Sequence, residues 1–388
     1  MKPSYFGPML FLPLLAAVTL CGQTVDITAV ATGNGVTDDT AAIQAAISGS
    51  PTGATIAFGI GKTYLVSQAL ELSSNRTYSG SAALKMNPAT PASPGQVLLH
   101  APAGDNITLD GLTLDGSGVA GLFAMSEDTI MHNLVIRNCT FLNSQIPAGL
   151  YNGAISAPRG ILNGLIDKNT FINVGQLSTT NPLGLTISNN SWTGVLTDAN
   201  MITIGLFGPG SGSIHITGNT ATALSRMAIE IQAHTDDADV SDLTISNNTF
   251  TNWHSTANGD YTYGISLAMP IATNSIVSGN TLTYGNGSQS GYGVEAGAQG
   301  LVIDGNTITG WFDGVILNNG NGITVSNNHL NNQTHGIALS GSAHELDGNI
   351  LNNTITDSGS SAIDMRGDTR GTAITGNVIN RTAGTTCK

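Results

Sequence analysis

One phrase recurs along the chain: "LVIRNCTF" at 134, "LTISNNSW" at 185, "LTISNNTF" at 243, "LVIDGNTI" at 301 and "ITVSNNHL" at 323. Aligning the copies on their asparagine marks Asn169, Asn190, Asn219, Asn248, Asn280, Asn306, Asn328, Asn353 and Asn377, with Cys139 in the same slot of the first copy. Successive marks lie 21 to 32 residues apart, a solenoid period. Each copy carries short period-2 runs of aliphatic and β-branched residues, and long 3.6-period stretches are absent. The unit is therefore a coil of strands.

Stacked coils of this kind form a parallel β-helix, with rungs about 4.8 Å apart and inward side chains merging into one core. An asparagine at the same bend of every rung forms a ladder of side-chain amides, and Cys139 reads as a small buried residue in it. Several asparagines, Asn247 and Asn352 among them, also fit N-x-[ST], but the ladder accounts for them more simply than glycosylation. The open end of a solenoid needs a cap. "GNGVTDDTAAIQAAI" at 33–47 supplies a helix for it, with Thr37 as N-cap, Asp38 and Asp39 at its N-terminus, and Ala42, Ile43, Ala46 and Ile47 as the apolar stripe.

That segment, followed by "GATIAFGIGKTYLV", resembles the N-terminal signature of the pectate-lyase superfamily (pectin-lyase-like proteins), in particular its pectate-lyase-3 and glycoside-hydrolase-28-related group. The resemblance implies an all-β, right-handed, single-stranded parallel β-helix of about ten or more coils with an N-terminal capping helix. It also implies a polysaccharide partner, but hydrolases, lyases, epimerases and phage tailspikes share the fold. "GIGKTY" at 59–64 departs from the Pro-Gly-Tyr arrangement of many relatives, and the polygalacturonase-type Asp clusters and His-Gly/Arg-Lys motifs are absent.

The chain begins with Lys2 and an apolar run from Met9 to Leu20, which reads as a secretory signal over 1–22 and predicts an exported protein. The run is too short for the roughly twenty residues of a membrane span. Residues 23–100 are expected to form the cap and first coils, and 101–388 the rest of one continuous domain. Three cysteines give no disulfide framework, so stability must come from burial and hydrogen bonding. With a net charge of -13 and only 10 % charged residues, the chain is not expected to bind nucleic acid. A monomer is expected.

A second phrase follows each asparagine segment after a variable loop: "MITIG" at 201, "AIEIQ" at 228, "GISLA" at 264, "GVEAG" at 293, "GVILN" at 314, "GIALS" at 336 and "AIDMR" at 362. Its aliphatic flankers face the core, so the middle residues form an outward column: Thr203, Glu230, Ser266, Glu295, Ile316, Ala338 and Asp364. Three positions earlier runs a second column: Asn200, Met227, Tyr263, Tyr292, Asp313, His335 and Ser361.

Glu230 and Glu295 flank one rung, so their backbones should lie roughly 9 to 10 Å apart. That suits inverting glycoside hydrolysis, with one carboxyl as acid, the other as base, and Ser266 leaving room for water. Tyr263 and Tyr292 are expected to bind sugar, with Arg226, His234, Asp313 and His335 as further binding or proton-transfer groups. Loop aromatics Trp253, His254, Tyr261 and Tyr284 join them near the same face. The competing reading of the two glutamates is ordinary solvated surface on an acidic protein.

A lyase or epimerase would need a base and a cation to neutralise a uronate, yet no Lys or Arg occurs between Met227 and Met365. Such a site would use Ca2+ on Asp236, Asp237, Asp239 and Asp242, or the earlier basic rungs with Arg137, Arg159, Lys168 and Arg226. The aspartates lack fixed ligand spacing and read more simply as a turn, so no cofactor or metal is expected. No zinc pattern, nucleotide loop or G-x-S-x-G elbow is present. A non-catalytic glycan-binding or adhesion β-helix is the third possibility.

Overall fold

The computed structural model describes residues 22–93, 95–144, 153–195, 199–253, 262–285, 291–339 and 344–382. The signal-like run, His254, Tyr261 and Cys387 lie outside them.

The chain winds through three long sheets in turn, every pairing being between parallel strands one coil apart. The first sheet runs in order from Thr24–Asp26 to Ala373–Thr375, the second from Asn34–Asp38 to Val378–Asn380, and the third from Leu70–Glu71 to Ser361–Met365. Among the described residues the first two each follow a path of 14 strands and the third has 12. Together they make the expected parallel β-helix. Side chains alternate along each strand, so inward residues stack from rung to rung: Phe141 lies on Phe171 at 4.7 Å and Phe171 on Trp192 at 4.5 Å between ring centroids.

The ladder sits at the bend between the first and second sheets. Asn219 shows the unit: its Nδ2 donates to the Ile187 carbonyl at 2.9 Å and to Asn248 Oδ1 at 3.0 Å. Its own Oδ1 accepts from Asn190 N and Nδ2, both at 3.0 Å. The ladder begins at Cys139, whose N–H donates to Asn169 Oδ1 at 2.9 Å and whose thiol burial pushes up to about 11.

The residue before each ladder position explains why the bend recurs. It is left-handed in every rung, with Asn at 138, 189, 247, 327 and 352, Gly at 218, 279, 305 and 376, and Lys at 168. Asparagine and glycine enter this conformation at little cost, which accounts for the "NN" and "GN" pairs of the repeat. Asn247 and Asn352 therefore belong to the bend, one residue before the ladder they were expected to join.

The cap is a helix over Thr40–Gly49 with Ile43 and Ile47 buried. Its N-cap is Asp39, one residue from the helix, and Thr37 lies in the preceding strand Asn34–Asp38. The Asp39 carboxylate accepts from Thr32 N, Thr32 Oγ1 and Gly33 N, so it ties the incoming chain to the helix start and does not cap it. Among the described residues no helix is long and apolar enough to cross a membrane.

Candidate active site on the third sheet

The register of the third sheet sets the outward column. Thr203 pairs with Glu230, Glu230 with Ser266, Ser266 with Glu295, and Glu295 with Ile316. Ile229, Ile231, Ile265, Leu267, Val294 and Ala296 flank them and are wholly buried. Rigid aliphatic anchors on both sides leave the two glutamates facing outward, two rung steps of about 4.8 Å apart.

Their surroundings differ. Glu230 accepts a hydrogen bond from Asn200 Nδ2 at 2.6 Å on the preceding rung, and Asn200 Nδ2 also reaches Thr203 Oγ1 at 3.1 Å. Burial pushes the Glu230 carboxyl up, with the Glu295 charge adding to it, against the opposing pull of Arg226, His234 and the Asn200 amide. Glu295 accepts from Ser266 Oγ at 2.5 Å and from Asn318 Nδ2 at 3.2 Å. Ser266 does not leave the gap expected of it: it is only 3 % exposed, and its hydroxyl is turned onto Glu295. Any space between the two half-buried carboxylates therefore lies beside the serine and not at it.

Tyr263 and Tyr292 pair in adjacent rungs, their rings tilted at 41° with centroids 5.2 Å apart. Both are partly exposed. Trp253 and Tyr284, expected on the loops of this face, are instead buried and pack edge-on against buried Trp311. They anchor the chain as it turns toward the third sheet. Arg226 precedes the Glu230 strand, Met227–Ala233, and His234 follows it, so both reach Glu230 electrostatically from opposite ends.

Asp313 and His335 form a separate buried cluster on later rungs. His335 Nδ1 lies 2.7 Å from Asp313 Oδ1 and its Nε2 3.7 Å from Asp364 Oδ2, while Arg366 binds Asp364. His335 is 8 % and Asp313 4 % exposed, so they face each other more than any ligand. Burial pushes Asp313 up, and the Arg366 hydrogen bond holds Asp364 below the usual range.

The earlier basic residues do not converge. Arg137 pairs with Asp110 on the first sheet at 2.9 Å, Lys168 lies 3.7 Å from Asp167 at a bend, and Arg159 donates to the Glu127 carbonyl. Asp239 accepts from Gly210 N and Asp242 from Ser213 Oγ, bonds between neighbouring rungs. Among the described residues no group of three His, Cys, Asp or Glu side chains could hold a metal ion.

Phe207 is the site-face residue that the alternation pattern passes over. It lies just past the strand Ile202–Leu206, where period 2 has ended, and is 52 % exposed. The available signal was an aromatic set among glycines in "GLFGPG".

Residues 28–199 match the rhamnogalacturonase A/epimerase, pectate lyase-like family, and residues 204–379 match the right handed beta helix region. No curated protein matches the chain. Among solved structures, the bacteriophage phi29 gene product 12 N-terminal fragment is 18 % identical with a TM-score of 0.59, over 93 % of this chain and 72 % of that one. An exopolygalacturonase from Thermotoga maritima is 11 % identical with a TM-score of 0.57, over 92 % of each chain. The Azotobacter vinelandii mannuronan C-5 epimerase AlgE6 A-module is 17 % identical with a TM-score of 0.51, over 91 % of this chain and 98 % of that one. At such identities the likeness speaks for fold and not for reaction. With its three parallel sheets, capping helix and asparagine ladder, the chain has a pectin-lyase-like right-handed parallel β-helix fold.

Proposed function

We propose that the protein is an exported glycoside hydrolase acting on a neutral or weakly acidic polysaccharide, with Glu230 and Glu295 as its catalytic pair. The single observation that carries this is two outward glutamates held two rungs apart on one sheet in unlike environments. Glu230, pushed up by burial, suits the acid that protonates the glycosidic oxygen. Glu295, oriented by Ser266 and Asn318, suits the base that takes a proton from water attacking the opposite face of the sugar. Backbones about 9 to 10 Å apart leave room for that water, and carboxyl groups brought to about 6.5 to 9.5 Å would invert the anomeric centre. Tyr263 and Tyr292 offer aromatic faces to sugar rings beside the pair. The apolar run Met9–Leu20 supports export.

The test is turnover on xylan, galactan, rhamnogalacturonan and polygalacturonate. The account expects new reducing ends, an inverted anomer by NMR, and no unsaturated uronate. Unsaturated product would replace hydrolysis by elimination, and binding without turnover would make the protein a glycan-binding module.

A further inference from the structure

Phe207 and His234 stack face to face, with ring centroids 4.4 Å apart and planes 14° from parallel. Both are exposed. An exposed phenylalanine normally escapes water by folding down, but this one is fixed from two sides. Its backbone N–H donates to Asn181 Oδ1 at 2.7 Å and its carbonyl accepts from Asn181 Nδ2 at 3.0 Å, so one amide of the preceding rung clamps the residue. His234 is tied on by its N–H to the Leu206 carbonyl at 2.8 Å, and Gly208 N donates to Thr235 Oγ1 at 2.8 Å. Gly205 completes the seat. A Cβ there would stand 3.2 Å from the Phe207 ring and 3.3 Å from His234, closer than ordinary contact.

The pair lies at the exit edge of the strand that carries Glu230, four residues or about 13 Å along it. Tyr263 and Tyr292 stand at the entry edge of the following rungs, in register with Met227. Two aromatic surfaces thus bracket the glutamates on a diagonal across the third sheet. A flat, rigid, half-wet aromatic face is what the apolar face of a pyranose stacks on, and preorganisation spares the binding its ordering cost.

We propose that Phe207, seated on His234, is a sugar-stacking subsite distal to the Glu230–Glu295 pair, so that the protein binds an extended glycan chain across the third sheet. The assignment rests on the glycan-active reading of the glutamates, and its test separates the two.

Binding of the same four polysaccharides is measured by affinity electrophoresis in the Glu230→Gln protein, with and without Phe207→Ala or Phe207→Trp. The expected result is about tenfold weaker binding for Phe207→Ala, near-parent binding for Phe207→Trp, and unchanged melting temperature. Parent affinity in Phe207→Ala overturns the subsite, as does failure of the parent to bind any of the four. Loss of binding in Phe207→Ala together with no turnover by the wild-type protein leaves the subsite standing and removes the hydrolase reading alone.

Discussion

The asparagine ladder and the outward column of the third sheet run along the same solenoid under opposite rules. From Asn169 to Asn377 the ladder holds one residue type, because each amide must both give and receive a bond from its neighbours. A break strands groups on two rungs. The outward column reads Ser178, Thr203, Glu230, Ser266, Glu295, Ile316, Ala338 and Asp364, with no such demand on identity. Sameness in a repeat marks what the backbone requires, and departure marks where chemistry is free to sit.

If the two columns are this separate, ladder substitutions should cost stability without altering turnover per folded molecule. Asn219→Ala orphans the Ile187 carbonyl and the Asn190 N–H and amide. It should cost about 4 kcal/mol in denaturant unfolding, at roughly 1 to 3 kcal/mol for each buried unmade bond. His335→Ala tests the boundary between the columns. It leaves the buried Asp313 carboxyl without its partner and should cost about 3 kcal/mol, while kcat/KM stays at the parent value. A large rise in KM at intact stability would instead make His335 a ligand contact.

Glu345 should break the comparison by pH. It is buried off the site, its Oε1 accepting from Ile323 N, and burial pushes its carboxyl up to about 7. The folded protein therefore keeps a proton that the unfolded chain releases above about 4.5. That contribution is fully present below the lower value and is lost as pH rises through about 7. Glu345→Gln should flatten the slope, making the variant more stable than the parent at alkaline pH by roughly 2 kcal/mol, at about 1.4 kcal/mol per unit less relaxation. Equal melting curves across the range would deny the shift.

The smallest effect concerns Lys168, the one residue just before a ladder position that is neither Asn nor Gly. Lys168→Asn should stabilise by about 0.5 to 1 kcal/mol, since a left-handed backbone is costly for other side chains and the 3.7 Å contact of the exposed lysine with Asp167 is worth little. No gain in melting temperature would show that the lysine is already accommodated.

The fold was legible because repetition multiplies a weak signal. One Asn-Asn pair is a turn, but an asparagine after a left-handed Asn or Gly, recurring coil after coil, gives rung period, ladder and strand phase together, and strand phase places Glu230 and Glu295 outward. Distances beyond the strands were not legible. Period 2 ends at Leu206 and cannot orient Phe207, and aromatic composition alone cannot tell Trp253 and Tyr284, which turn inward to pack, from Tyr263 and Tyr292, which do not. Nor does sequence reveal that Asp313, His335 and Asp364 satisfy one another across three rungs.

The central claim is that Glu230 and Glu295 work as one acid–base unit. Turnover by Glu230→Gln, Glu295→Gln and the double variant, each at parent melting temperature, tests it most directly. The account predicts a loss of about 10² to 10⁴ in kcat for each single variant and little further loss in the double, as for groups acting together. Full activity in either single variant, or independent multiplicative losses in the double, would contradict it.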